Sequence, residues 1–571
     1  MARVWTFTRP HRAVVFVTVV LFFPIALLEL LQPYLLKIAI DHHILPRDWL
    51  GLTWVALAFL GALVLLYALR AWQSYLTHLT GQRVLHDLRQ ALFAHVQKMD
   101  AAFFDRNPVG RLMTRILNDV EAVSEVFTSG LVSILGDVVT LTGVIVVMLG
   151  MNWKLALVTF SLVPLLVAVA AFFRAKARTA YRLVRTRLAQ LNAFLQESLQ
   201  GMAVIQLFTR ERQEFLRFAE LNREHHRAQF RSSVYDAALY AAVEAIGSAA
   251  VAILLWHGGG QIWEGVLTFG GLVAFIEYTN RFFLPIRDLG AKYTVMQSAM
   301  ASSERIFGLL DHRPSIVSSS RPVRAEPVRG AIEFGDVWFA YGGEEWVLSG
   351  CSFRVAPGER VALVGATGEG KTTIARLLNR SYDVSRGQVL VDGVDVREWD
   401  LAALRRQVGL IPQDVFLFTG TVEANLKLGA DGVVPADVLA RAVTMANARA
   451  FIESLPDGYQ QELRERGANL SHGQRQLLAI ARCLVYNPAV LVLDEATSSV
   501  DPESEALVQQ AMGRLLAGRT SLIIAHRLST IRMAHRILVL HKGQVREEGS
   551  HADLLRRRGL YARLYELQCG K

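Results

Sequence analysis

The nine residues Gly365-Ala366-Thr367-Gly368-Glu369-Gly370-Lys371-Thr372-Thr373 follow an apolar run, Val361–Val364, and precede a helical stretch. Their spacing, G-x-x-x-x-G-K-T, suits a polyphosphate. Glycines let successive backbone N–H groups wrap the anion. Lys371 brings a point charge to the β- and γ-phosphates, and Thr372 brings a hydroxyl for Mg²⁺. A second apolar run, Leu491-Val492-Leu493, ends in Asp494-Glu495. A strand of this kind carries both carboxylates to the C-terminal edge of a sheet, where α/β folds bind ligands. Asp494 is suited to holding Mg²⁺ and Glu495 to polarising an attacking water as general base. The alternative role for Glu495 is a supporting acid with no direct contact to that water. Together these residues imply attack of water on a Mg²⁺-bound polyphosphate with β- and γ-phosphates.

Lys371 and Asp494 are far enough apart for an inserted helical subdomain, and Leu470-Ser471-His472-Gly473-Gln474 lies between them. Ser471 and Gly473 stand before the apolar-periodic run Leu477–Leu484, so they sit at a helix start with free N–H donors, a good anion site. Taken alone, this is a helix cap.

These loops need strands and helices to hold them. Short strand-like runs at Ala331–Phe334, Val361–Val364, Leu491–Leu493 and Ser521–Ile524 alternate with helical stretches, the pattern of an α/β domain. That domain is expected over 329–571, after a polar linker at 316–328. The first 315 residues read differently. They contain six apolar stretches, at about 13–36, 50–72, 129–150, 155–175, 238–260 and 266–288, each of a length that crosses a bilayer. The N-terminal stretch reads as a retained anchor, because no small-residue cleavage site follows it. The segments 74–126 and 176–236 are long, polar and periodic, and they read as cytoplasmic helical extensions that turn near Pro108 and Gly201.

Overall composition agrees with this division. Hydrophobic residues make up 52% of the 571, too many for an ordinary soluble enzyme, while 20% charged residues are too many for a chain lying wholly in the membrane. The formal charge of +10 is mostly a matter of topology. The segments on one side of the membrane carry 22 basic residues, and the short connections on the other side carry only Arg47 and Lys154. This places both termini in the cytoplasm and gives no support to nucleic-acid binding. The three cysteines have no zinc or redox spacing. Glu29, Asp137, Glu244, Glu277 and Arg281 fall within spans. Charge there should face protein or a polar cavity. Glu277 and Arg281, four apart, could neutralise each other, and Glu29 and Glu244 are candidates for a polar pathway that tolerates cationic amphiphiles.

The nucleotide motifs and their order resemble the nucleotide-binding domain of ATP-binding cassette transporters. The chain as a whole resembles a half-transporter of the multidrug and lipid exporter group. The resemblance rests on the Gly365–Thr373 loop, Gln413 in Ile411-Pro412-Gln413-Asp414, Leu470–Gln474, Asp494-Glu495, Ser499-Val500-Asp501 and His526. Tyr341 matches the aromatic residue that stacks on adenine. In the membrane half, Phe103-Phe104-Asp105, Gly110-Arg111-Leu112 and Arg115–Asp119 resemble the region of a first coupling helix, and Phe208-Thr209-Arg210-Glu211 that of a second.

The resemblance implies that Gln413 senses Mg²⁺ and the attacking water, His526 holds the γ-phosphate, and Asp501 shapes a dimer interface. The ATP contacts it implies come from Tyr341, Gly365, Thr367, Gly368, Glu369, Gly370, Lys371, Thr372 and Thr373. Ser471, Gly473 and Gln474 would contact ATP held on a second half-transporter, and Thr372, Gln413 and Asp494 would hold Mg²⁺. The implied function is ATP-driven export or flipping of hydrophobic or amphipathic substrates, such as drugs or lipids, across a prokaryotic cytoplasmic membrane, in contact with membrane lipids. A soluble cassette ATPase of repair or translation is disfavoured by the six spans. An importer is disfavoured because importers usually keep membrane and nucleotide domains on separate chains. A dedicated lipid or peptide exporter, acting as a homodimer, remains open. His472 departs from the usual Leu-Ser-Gly-Gly-Gln signature. Beside an intact Glu495 and His526, it favours a heterodimer whose partner has the weaker site.

Overall fold

The computed structural model describes residues 3–125, 131–319, 321–323, 327–430, 434–494, 502–525 and 528–569. The chain forms two compact units. One comprises Met1–His95 and Gly110–Asp311, the other Val96–Val109 and His312–Lys571.

The first unit is helical. Its long helices are α1 (Phe22–Ile38), α2 (Trp49–Val96), α3 (Leu131–Phe160), α4 (Val163–Gln200), α5 (Glu211–Trp263) and α6 (Phe269–Leu310). At 1.5 Å per residue, the 48 residues of α2 and the 53 of α5 extend about 70 and 80 Å, more than twice a bilayer's hydrocarbon thickness. The apolar stretches therefore continue as polar helical extensions. A turn at Gly201 separates α4 from the short helix Met202–Leu207. Among the described residues, four helical stretches, Thr6–Ile44, Trp49–Val96, Ser133–Phe160 and Glu211–Trp263, are long and apolar enough to cross a membrane. The other two predicted spans fall short of that measure. The stretch 155–175 is split at Ser161-Leu162, between α3 and α4, with Pro164 in the first turn of α4. The stretch 266–288 is interrupted by Glu277, Asn280 and Arg281.

Pairing accounts for most of the charges within the spans. An unpaired charge at the centre of a membrane helix costs about 2.5–3.5 kcal/mol on insertion scales. Glu29 is buried, paired with Arg70, and accepts from Thr140 at 3.2 Å. Asp137 pairs with Lys292. Arg281 does not reach back to Glu277. Its guanidinium donates to the Glu29 carbonyl at 2.6 Å and to Gln32 Oε1 at 2.7 Å, tying α6 to α1. Glu29 is therefore a structural anchor and not part of an open pathway.

The second unit is α/β with two main sheets. An antiparallel sheet has the order β2 (Leu348–Val355), β1 (Ile332–Phe339), β4 (Arg386–Val391), β5 (Val394–Asp395). The larger sheet has the order β10 (Gln544–Gly549), β9 (Arg536–His541), β3 (Arg360–Val364), β8 (Thr520–Ile524), β7 (Val490–Asp494), β6 (Val408–Ile411). Its five strands β9, β3, β8, β7 and β6 are parallel, and β10 pairs antiparallel at the edge.

The parallel strands read as unbroken apolar runs because both faces of the sheet are covered. Ala362, Val364, Leu491, Leu493 and Ile523 face a core built with the helical subdomain. Val361, Leu363, Val490, Val492, Leu522 and Ile524 face a core closed by the antiparallel sheet and by α7 (Lys371–Leu378). A shift of one residue in any strand would exchange these two sets. Register is therefore strongly specified, and with it the position of each loop at the strand ends.

Candidate active site

Three parallel strands, β3 and, beyond β8, the adjacent β7 and β6, deliver the predicted residues to one edge of the large sheet. The Gly365–Thr373 loop follows β3, Asp494 ends β7, and Pro412-Gln413 follow β6. Glu495, Ser499, Asp501 and His526 lie outside the described residues. A cavity of about 430 Å³ opens at this edge, and its lining includes Thr372, Gln413, Asp494, Ala101, Arg376 and Tyr382.

The loop fits a polyphosphate. Gly370 has φ +94°, and a Cβ there would lie 2.7 Å from Leu348 Cδ2. A Cβ on Gly365 would lie 2.6 Å from the Leu540 carbonyl oxygen. The backbone can follow this path only without side chains at these positions. Lys371 is buried, and its ammonium donates to the carbonyls of Gly365 at 2.7 Å and Ala366 at 2.8 Å. Burial pushes its pKa down, an effect partly offset by Glu369 and Asp494. A phosphate arriving here meets an ammonium already aimed into the loop. Thr372 Oγ1 donates to Asp494 Oδ2 at 3.2 Å, so a hydroxyl and a carboxylate converge as oxygen donors suited to Mg²⁺. Glu369 points elsewhere. It accepts from the backbone N–H of Lys542 and lies 3.3 Å from His541, which fixes the loop to the β9–β10 turn.

Ser471 caps α8 (His472–Tyr486) in a reciprocal capping box. The Gln474 N–H donates to the Ser471 hydroxyl at 3.2 Å, and the Ser471 N–H donates to Gln474 Oε1 at 2.9 Å. Gln474 is thus engaged in shaping the helix start. The His472 ring lies against its own helix. Arg475 donates to its Nδ1 at 3.4 Å, and the Gln476 side-chain amide lies 3.1 Å from its Nε2. A neutral ring with the proton on Nε2 fits this arrangement when the Gln476 amide is oriented to accept. The imidazole is accommodated beside α8 while Ser471 and Gly473 keep their places at the helix start.

Tyr341 forms part of an aromatic cluster not anticipated from sequence. Its hydroxyl is hydrogen-bonded to Thr373 at 3.0 Å, and its ring meets Tyr382 edge-on with centroids 5.2 Å apart. The Arg376 guanidinium lies 5.8 Å from the Tyr341 centroid and 6.0 Å from that of Tyr382. The Tyr382 hydroxyl donates to Asp105, and Arg376 lies 4.0 Å from the same carboxylate. Asp105 sits on the short helix Ala101–Arg106. This helix is capped by Asp100, which accepts from the Phe103 N–H at 2.9 Å and from the Ser315 N–H at 2.7 Å. Burial alone would raise the Asp100 pKa, but the bonds from Ser315 and Phe103 hold it below the usual range. The only sequence signal for the cluster is a Tyr shortly after a helix that carries an Arg, and that pattern is too common to single out.

A charge-assisted hydrogen bond contributes about 1.5–3 kcal/mol. Tyr382→Phe should therefore raise the hydrogen-exchange rates of the Phe103–Asn107 amides roughly 10- to 100-fold if opening is local. ATP affinity should change little. Unchanged exchange in that segment would show that the Tyr382–Asp105 bond does not hold it.

The family profile described as the ABC transporter transmembrane region matches residues 15–286, and that described as ABC transporter matches 348–498. An ATP-dependent lipid A-core flippase of Syntrophus aciditrophicus (strain SB) is 36% identical over 570 residues, covering 99% of this chain and 94% of the relative. The chain belongs to the ABC transporter family. A putative multidrug export ATP-binding/permease protein of Bacillus subtilis (strain 168) is 35% identical over 575 residues, covering 100% of this chain and 99% of the relative. A solved structure titled as a bacterial Atm1-family ABC exporter with ATP bound superposes with a TM-score of 0.80 at 31% identity. It covers 98% of this chain and 99% of that one. This ABC exporter is thus a multi-pass membrane protein, with a transmembrane exporter domain followed by an ATP-hydrolysing domain. The segment Val96–Val109, which lies in the membrane half of the sequence, packs with the ATPase unit.

Proposed function

We propose that this exporter uses ATP to move hydrophobic or amphipathic substrates across the cytoplasmic membrane by alternating access, as a dimer of two copies of the chain. The observation that carries the ATPase part is the meeting of Lys371, Thr372 and Asp494 at one sheet edge, with Gln413 on the rim of the same cavity. In this reading the loop amides and Lys371 bind the β/γ-phosphates, Thr372 and Asp494 hold Mg²⁺, and Gln413 and His526 orient the γ-phosphate and water for Glu495. Bound Mg²⁺ would supply charge neutralisation at the phosphate oxygens. Ser471 and Gly473 cover the ATP of the facing copy. Tighter ATP binding to the closed pair is the free-energy source, and hydrolysis resets it. The excess of basic residues on one side supports cytoplasmic termini.

A heterodimer is the second reading, and it rests on His472. The ring's position against α8, beside Arg475 and Gln476, supports the homodimer as the first reading, since the imidazole has a place on its own helix.

The test is expression of this chain alone, purification, intact-complex mass measurement and reconstitution into proteoliposomes. The expected result is a complex of two identical chains that flips a fluorescent amphiphile in the presence of ATP. A requirement for a second, related chain would establish the heterodimer. ATP hydrolysis without movement of any amphiphile would overturn the export reading.

A further inference from the structure

Glu29 and Asp137 have partners, whereas Glu244 has none among the described residues. Among the described residues no side chain forms an ion pair or hydrogen bond with its carboxylate, and the residue is exposed. It stands on α5, six residues into the predicted span 238–260, or about 9 Å along the helix from that end. Glu244, Gly247, Ser248 and Val251 recur at helical spacing, so they share one face. This face and Asn280, Phe283 and Leu284 of α6 enclose a cavity of about 430 Å³, within the size range of small-ligand sites. A Cβ added to Gly247 would meet no atom within 4 Å, so the cavity has open space beside the acid. The lining combines one carboxylate, the neutral polar groups of Ser248 and Asn280, and the apolar side chains of Val251, Phe283 and Leu284. Among the described residues, no basic side chain lines it.

We propose that this pocket recognises the cationic head of an amphipathic substrate, with Glu244 as the counter-charge and the α6 side chains against its apolar body. The inference rests on the exporter reading above and narrows its substrate class. An unpaired carboxylate in a span is retained against a cost, and an organic cation removes that cost on binding. Ser248 and Asn280 can solvate the head, and Phe283 adds an aromatic ring to the wall. The same acid repels phosphate-bearing anionic lipids, so the pocket selects among amphiphiles by charge.

The test uses the purified full-length protein in neutral detergent, with tetraphenylphosphonium as probe and tetraphenylborate as its size-matched anion. Wild type should bind the cation at least tenfold more tightly than the anion. Glu244→Gln should bring that ratio close to one, and Glu244→Asp should restore most of it. Reading the ratio within each protein separates a lost charge from general misfolding. A cation preference that survives in Glu244→Gln, or that is absent from wild type, overturns the proposal. Competition identifies the source of the head group. Displacement of the probe by dodecylammonium but not by phosphatidylethanolamine supports a small cationic amphiphile, and displacement by both supports an amine-headed lipid as well. Failure here, with ATP-driven movement of amphiphiles intact in proteoliposomes, would remove the charge selectivity and leave the exporter reading in place.

Discussion

Glu495→Gln should leave ATP binding intact and lower ATP turnover by about two to four orders of magnitude. A positioned general base typically contributes 10²- to 10⁴-fold, which at about 1.4 kcal/mol per factor of ten is roughly 3–5.5 kcal/mol of barrier. The amide has nearly the shape of the carboxylate, so the end of β7 and the Thr372–Asp494 contact at 3.2 Å should persist. What is lost is the ability to take a proton from water. Single-turnover hydrolysis and equilibrium ATP binding, measured on the same preparation, separate the two effects. Near wild-type turnover with the expected affinity would return Glu495 to the role of a supporting acid. In a complex of two identical chains the substitution silences both sites together, so a residual half-activity is not expected.

The nucleotide half was legible because its chemistry is local in sequence. The phosphate loop is nine consecutive residues, and β7 carries Asp494 at its end, so neither needs a long-range contact to be recognised. The parallel strands show as apolar runs because both of their faces are buried. The antiparallel strands were less visible. β4 and β10 are polar and partly exposed, and they alternate too weakly to stand out. In the membrane half, apolar length located the spans, but partners could not be read from it. Arg281 lies four residues from Glu277, and the spacing suggested a pair on one helix. The structure sends its guanidinium to Glu29 and Gln32, about 250 positions away in sequence. Tyr382 and Asp105 are equally remote, since their bond spans 277 positions. His472 shows the same limit on a smaller scale. Its identity was plain, but only the side-chain geometry shows the ring held beside Arg475 and Gln476.

Lys371→Ala should weaken ATP binding roughly 30- to 4,000-fold. Truncating one partner of a buried, hydrogen-bonded charge pair costs about 2–5 kcal/mol, and each 1.4 kcal/mol is a factor of ten. Lys371 meets the conditions for such a loss. It is 5% exposed, and its ammonium donates to the loop carbonyls of Gly365 and Ala366. Burial already depresses its pKa, so the ammonium is poorly compensated before a polyanion arrives. Binding the triphosphate supplies that missing compensation, and alanine cannot. The loop itself should survive, because its path is set by Gly365 and Gly370 and by the tie from Glu369 to Lys542. Lys371→Arg provides a second test. The charge is kept, but the planar five-donor fork is wider than the ammonium it replaces, and the buried position leaves it little room, so arginine should rescue binding only in part. Isothermal titration with a non-hydrolysable ATP analogue measures all three proteins. Equal dissociation constants for wild type and Lys371→Ala would contradict the phosphate-loop reading. Full rescue by arginine would mean that charge alone matters there, and that the ammonium's fit between the two carbonyls does not.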